Sequence, residues 1–376
     1  MTQRNDAIDG LRGWLSISVC IYHGFLIPQG DSIYPIFFAP LTETASVWRK
    51  MLLQVINGDL AVNVFFVMSG AVLFGSLTGL ARQRRPAALA LDFTIRRVFR
   101  IYPAFIVVLL GFTAAYAALQ WLFPGLFQLY FTTAQLLANL SLAKIVMYGA
   151  SWTLQVEMAA IPFILLGFWA WRRTGEAGLV MFLAVALLAR ESAWLAGGLP
   201  NLQQRLFLFI LGMLAIGPVG EAASRGLGDR SALAIPPLPI LGASLVDYRA
   251  GLVSVFQGLL AALAIAALFH GRLPRIGRAL GAPVSVFLGH ISYAFYVINP
   301  VFLEFNRIVI LHVFGWAPMG FWPDLALGVS ATLCSIPLCV LCYRYVEVPG
   351  IRAGRLVFPA LRFRAEQWLG IARSAA

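Results

Sequence analysis

The sequence predicts an all-α fold: a polytopic integral membrane bundle of about ten transmembrane helices, with both termini in the cytoplasm. Three observations predict it. Hydrophobic residues make up 60% of the 376 and charged residues only 12%, with a mean hydropathy of +0.82. Stretches of about 20 mostly apolar residues recur along the chain, each long enough to cross a bilayer. The arginines gather at the ends of those stretches, as the positive-inside rule expects. The net charge of +12 and pI near 10.1 therefore do not point to nucleic acid. The cations sit beside hydrocarbon, not on a soluble basic domain.

The expected spans are 11–28, 58–78, 101–123, 151–171, 177–196, 203–219, 232–247, 251–270, 285–312 and 322–346. The first carries Asp9 and Arg12 and lacks a convincing cleavage site, so it reads as integral, not as a removable signal. The loop before the third span holds Arg82, Arg84, Arg85, Arg96, Arg97 and Arg100. Segment 124–150 is the longest outer connection. Arg172 and Arg173 close the fourth span, and Arg225 and Arg230 follow the sixth. The seventh is short and holds Pro236, Pro237 and Pro239. Arg272, Arg275 and Arg278 follow the eighth. Pro300 is expected to break the ninth, freeing carbonyls that the bundle must satisfy. With ten spans these clusters fall on one side together with both termini. Residues 1–350 form the membrane domain and 351–376 a basic cytoplasmic tail. No internal repeat is visible, which weighs against a transporter.

Cys20, Cys334, Cys339 and Cys342 all fall in apolar spans. Cys339 and Cys342 have the spacing of a metal half-site, but no second pair matches it. They read as small hydrophobes, and no metal is expected.

The chemistry-bearing residues begin in the first span. Eleven residues separate Arg12 from His23. At about 100° and 1.5 Å per residue both side chains leave one helical face, roughly 16 Å apart along the axis. Ser16 shares that stripe. An ionisable residue inside a span is a functional candidate by default. Of the four histidines, His23 is the one well inside a span; His270, His290 and His312 lie near span ends. A desolvated imidazole is largely neutral, hence competent as a general base. Arg96 and Arg100 are four apart and share a face beside Arg97. Their planar guanidinium forks suit phosphate, although plain topology also places arginines there. Glu157 lies about two turns inside the fourth span, at a depth comparable with His23. A carboxylate there can pair with an imidazolium or position a hydroxyl. Trp152 serves as an interfacial anchor or as a platform for a glycan.

Six segments, in order, resemble the membrane-bound acyltransferase family 3, the bacterial O-acyltransferases of surface and secreted glycans. They are Ile8-Asp9-Gly10-Leu11-Arg12-Gly13 ending in Tyr22-His23, then Ala61-Val62-Asn63-Val64-Phe65-Phe66-Val67-Met68-Ser69-Gly70. Arg96-Arg97-Val98-Phe99-Arg100-Ile101-Tyr102-Pro103 and Ser151-Trp152-Thr153-Leu154-Gln155-Val156-Glu157 follow. Leu288-Gly289-His290-Ile291-Ser292-Tyr293 and Tyr343-Arg344-Tyr345-Val346-Glu347-Val348-Pro349 complete the set. Three positions depart from the family pattern: Asn63 stands where Asp is usual, with Asp59 one turn away; Met158 follows Glu157 where a second acid is common; and Asn299 precedes Pro300 where His is common.

The resemblance implies an enzyme: an acyl-coenzyme A-dependent O-acyltransferase of the bacterial cytoplasmic (inner) membrane. Its donor is acetyl-coenzyme A or, less often, another acyl-coenzyme A. Its acceptor is a hydroxyl of an extracytoplasmic glycan, lipid-linked or emerging from the membrane, an exopolysaccharide or lipopolysaccharide unit. The implied roles are His23 as general base with Glu157 orienting it or the acceptor. Arg12, Arg96, Arg97, Arg100 and Tyr102 bind the donor, and Trp152, Asn63 and Asp59 contact the acceptor. Membrane lipids are the other partners. Two further readings remain: an exporter of a glycan or acyl group, and a non-catalytic partner of a polysaccharide export complex.

Overall fold

A computed structural model describes residues 5–29, 47–82, 86–124, 132–147, 149–192, 198–232, 234–235, 238, 251–313, 315 and 321–368. Those residues are helical or lie in short turns; no strand occurs among them. Two compact units arise: residues 1–76 with 162–339, and 77–161 with 340–376.

The first unit opens with α1 (Asp6–Gln29), followed by α2 (Val47–Val55) and most of α3 (Gly58–Ala81). It continues with α7 (Ile161–Thr174), α8 (Glu176–Leu188), α9 (Pro200–Ala215) and α10 (Pro218–Ser224). Then come α11 (Leu252–Phe269), α12 (Pro274–Leu280), α13 (Pro283–Val313) and most of α14 (Phe321–Cys342). The second unit holds α4 (Pro86–Leu122), α5 (Thr133–Leu140), α6 (Trp152–Ala159) and α15 (Val348–Trp368). A π-helical turn, Tyr343–Glu347, leads into α15. The tail expected from residue 351 thus begins as helix.

Glycines set the closest approaches. A Cβ on Gly70 of α3 would overlap the carbonyl oxygen of Phe209 on α9, and one on Gly212 of α9 would overlap the carbonyl of Val67. Gly10 and Gly13 bring α1 onto Leu280, Ser285 and Leu288–Gly289 in the same way. In hydrocarbon, helices gain by such contact because small residues let backbones meet. Phe66, Phe207 and Phe209 fill the space beside the glycine contacts and are fully buried.

Among the described residues, six helices are long and apolar enough to cross a membrane: Lys50–Ala81, Pro86–Leu122, Gly149–Thr174, Leu252–Phe269, Pro283–Ile310 and Phe321–Ala360. A seventh arises if Asn201–Ala215 and Pro218–Ser224, bent by 81° at the break, form one span. These match seven of the ten expected segments. The differences have local causes. Helix α1 has 24 residues, but Asp6, Asp9, Arg12 and His23 dilute its apolar character. Segment 177–196 forms only 13 residues of α-helix. Segment 232–247 lies mostly outside the described residues. Pro300 does not break its span, contrary to expectation: α13 runs unbroken through it. Proline removes one donor, and the 31-residue helix retains its other turns on both sides.

Candidate functional site

The expected site residues divide between the units. Arg12, His23, Asp59 and Asn63 belong to the first; Arg96, Arg97, Arg100, Tyr102, Trp152 and Glu157 belong to the second.

Helix α1 is continuous from Asp6 to Gln29, so the spacing of Arg12 and His23 holds as read. The Arg12 guanidinium clamps α1 to α13. Its Nε donates to Ser292 Oγ at 2.9 Å and its Nη2 to the Gly289 carbonyl at 2.9 Å. Asp9 Oδ1 lies 3.1 Å from the same Nη2, one turn away. The fork that suits a phosphate is thus engaged with a neighbouring helix. His23 lies beyond it, half-buried, its ring centroid 6.3 Å from that of Tyr22. Among the described residues no hydrogen bond reaches the His23 ring.

Asn57 stands just before α3, and its Oδ1 accepts from the Leu60 N–H at 2.8 Å and so caps the helix. One residue into the helix, Asp59 Oδ1 lies 3.3 Å from Arg205 Nη2 of α9. One turn on, Asn63 Nδ2 donates to Gln257 Oε1 of α11 at 3.0 Å. Asn63 and Gln257 are fully buried.

In the second unit the arginine stretch of α4 meets carboxylates. Arg96 Nε lies 3.0 Å from Asp92 Oδ1, one turn back and fully buried. Arg97 Nη2 lies 2.6 Å from Glu157 Oε2 of α6. Arg100 Nη1 lies 3.9 Å from Glu347 Oε2, at the π-helical turn and also buried. The arginine side chains keep 30%, 14% and 28% of their surface exposed, so Arg96 and Arg100 remain partly accessible beside their acids while Arg97 is mostly buried. Gly350 and Gly354 of α15 pack against Phe99 and Pro103, fixing this stretch of α4 from the side.

The segment before α6 is tied down by one buried amide. Asn139 Oδ1 accepts from the backbone N–H groups of Val146 and Met147 at 3.2 and 3.0 Å, and its Nδ2 donates to Ser151 Oγ at 3.0 Å. Gln155 Nε2 donates to the Leu142 carbonyl at 2.7 Å. Trp152 opens α6 half-buried, and Tyr102 donates to the Ser141 carbonyl at 3.4 Å.

The structure thus joins Arg97 to Glu157, two residues read for different tasks, and it adds partners that sequence reading missed. Asp92 stands four residues before Arg96, an i,i+4 acid–base spacing visible in the sequence. Arg205 and Gln257 are polar residues inside apolar runs, a signal equally visible. Glu347 lies 247 residues beyond Arg100, and no local pattern links them. Cys20, Cys339 and Cys342 are buried free thiols, and no metal-binding group of His, Cys, Asp or Glu occurs among the described residues.

A family model described as an acyltransferase domain, of the acyltransferase 3 type, matches residues 5–344. No curated protein and no solved structure matches the chain.

Proposed function

This chain belongs to membrane acyltransferase family 3, and from that premise we propose that it moves an acetyl group from acetyl-coenzyme A to a glycan hydroxyl. The acceptor is an extracytoplasmic exopolysaccharide or lipopolysaccharide unit, lipid-linked, and the setting is the bacterial inner membrane. One observation carries the reading: an unbroken α1 that holds His23 three turns beyond Arg12, with the His23 ring nitrogens uncommitted among the described residues.

His23 acts as general base. Its ring nitrogen takes the proton of the acceptor hydroxyl as that oxygen attacks the thioester carbonyl. The carbonyl–sulfur bond breaks, the acetyl group stays on the sugar oxygen, and the coenzyme A thiolate takes the proton back from the imidazolium. Arg96, Arg97 and Arg100, each backed by a carboxylate, bind the donor phosphates, with Arg12 and Tyr102 as further donors. Glu157 orients the arginine it touches. Asp59, Asn63 and Trp152 face the acceptor.

The test is purified protein with radiolabelled acetyl-coenzyme A and native membrane vesicles. Turnover without an ion gradient, lost in His23→Ala while the variant stays folded, supports the reading. Near-normal transfer by that variant overturns the base role, and transport without acyl transfer overturns the enzyme.

A further inference from the structure

Three helices of the first unit begin together, and each carries a polar residue at its sixth position. These are Asn63 of α3, Arg205 of α9 and Gln257 of α11. The pairs Asn63–Gln257 and Asp59–Arg205 bring the three starts into one cluster. Asn57 extends it by donating from Nδ2 to the buried Gln54 Oε1 at 2.9 Å. Further along, the same helices turn apolar and close. Gly70 and Gly212 join α3 to α9, and a Cβ on Gly258 of α11 would reach 2.5 Å from Leu208 of α9. The polar cluster therefore occupies one end of a tightly packed apolar trio.

Two features set it apart from a helix-packing contact. Its outer pair is open: the Asp59 and Arg205 side chains are 25% and 16% exposed. Its buried part holds an uncompensated acceptor: Asn63 is 1% exposed and its Oδ1 has no hydrogen-bond partner among the described residues. Leaving such a group unpaired costs about 1–3 kcal/mol, so a buried acceptor without a donor marks a place for one. A carboxylate, a guanidinium and two amides present alternating acceptors and donors, which match vicinal hydroxyls of a sugar.

We propose that Arg205 and Gln257, with Asp59 and Asn63, form a carbohydrate-binding subsite for the acceptor glycan. A sugar hydroxyl donates to Asn63 Oδ1, and neighbouring hydroxyls bridge the Asp59–Arg205 pair. The proposal rests on the acyl-transfer reading above and assigns two residues that reading does not contain.

The experiment measures two quantities on the full-length purified protein: transfer of radiolabelled acetyl to glycans of native membrane vesicles, and affinity for coenzyme A alone. Gln257→Leu and Arg205→Ala are each expected to lower transfer about tenfold or more, with coenzyme A affinity within about twofold of wild type. The charge-exchanged variant Asp59→Arg/Arg205→Asp keeps an ion pair but reverses its hydrogen-bonding sense. It is expected to fold, to bind coenzyme A and to stay at least about tenfold down in transfer. Restoration of transfer by the exchange makes the pair a packing contact and overturns the subsite, as does full transfer by Gln257→Leu. Absence of transfer in the wild type instead overturns the enzymatic reading, which separates the two failures.

Discussion

Arg97 Nη2 and Glu157 Oε2 meet at 2.6 Å, joining α4 to α6 across 60 residues of sequence. Both side chains are mostly buried, at 14% and 23% exposed. A short charge-assisted bond of this kind couples the two side chains. Arg97→Ala and Glu157→Gln should therefore each weaken coenzyme A binding, and the double variant should be little worse than the poorer single one. A double-mutant cycle on coenzyme A affinity should return a coupling of about 1–3 kcal/mol. Additive losses would mean that the pair does not act as a unit.

His23→Ala should abolish acetyl transfer while leaving the folded protein and its coenzyme A affinity in place. Thermal unfolding in detergent and a binding isotherm check the last two. His23→Gln should be as inactive, since an amide fills the space and hydrogen-bonds but takes no proton at neutral pH.

Arg12→Lys keeps the charge and loses the fork that reaches Ser292 Oγ and the Gly289 carbonyl together. The α1–α13 contact should weaken by about 1–3 kcal/mol, read as a lower unfolding temperature in detergent. A variant as stable as wild type would show that the glycine contacts alone hold the two helices.

Gly212→Ala adds a methyl where the Val67 carbonyl oxygen already sits. Neither backbone has a flexible end to yield, so α3 and α9 must separate. Destabilisation of about 1–3 kcal/mol is expected, with aggregation on heating at a lower temperature. Gly79→Ala, where a Cβ meets nothing within 4 Å, is the matched control and should be neutral or slightly stabilising.

Asn139→Ala removes one acceptor for two backbone N–H groups and a donor to Ser151. The approach to Trp152 should loosen. Faster hydrogen exchange at Val146 and Met147 is the measurement, with a stability loss of about 1–3 kcal/mol.

Much of the fold was legible because hydrocarbon imposes a simple code. Apolar runs of about 20 residues announced 58–78, 101–123, 151–171 and their later counterparts, and each became helix. Gly70, a small residue inside an apolar run, meets Phe209 at close range, as small residues in hydrocarbon do. Helix α1 shows where the code weakens: the four polar side chains that make it chemically interesting also lower its apolar signal. Pro300 misled for a related reason, since proline in a long helix costs one donor and need not end it. The candidate site was legible as residues and not as partnerships. Arginines 96, 97 and 100 stood out in sequence. Their acids lie 4, 60 and 247 residues away, and only the nearest follows a local rule. Periodicity fixes which face a side chain leaves, but tertiary packing decides what waits there.

The chain enters α15 through the π-helical turn Tyr343–Glu347. A π turn bonds i to i+5 and takes in one extra residue, so the helix beyond it keeps the face that an α-helix one residue shorter would present. The same residues wound as ordinary α-helix would turn further, and Gly350 and Gly354 would rotate away from Phe99. Bulkier neighbours would then face α4, and Glu347 would swing away from Arg100. The π turn is thus what lets this stretch carry its count of residues and still turn its glycines toward α4.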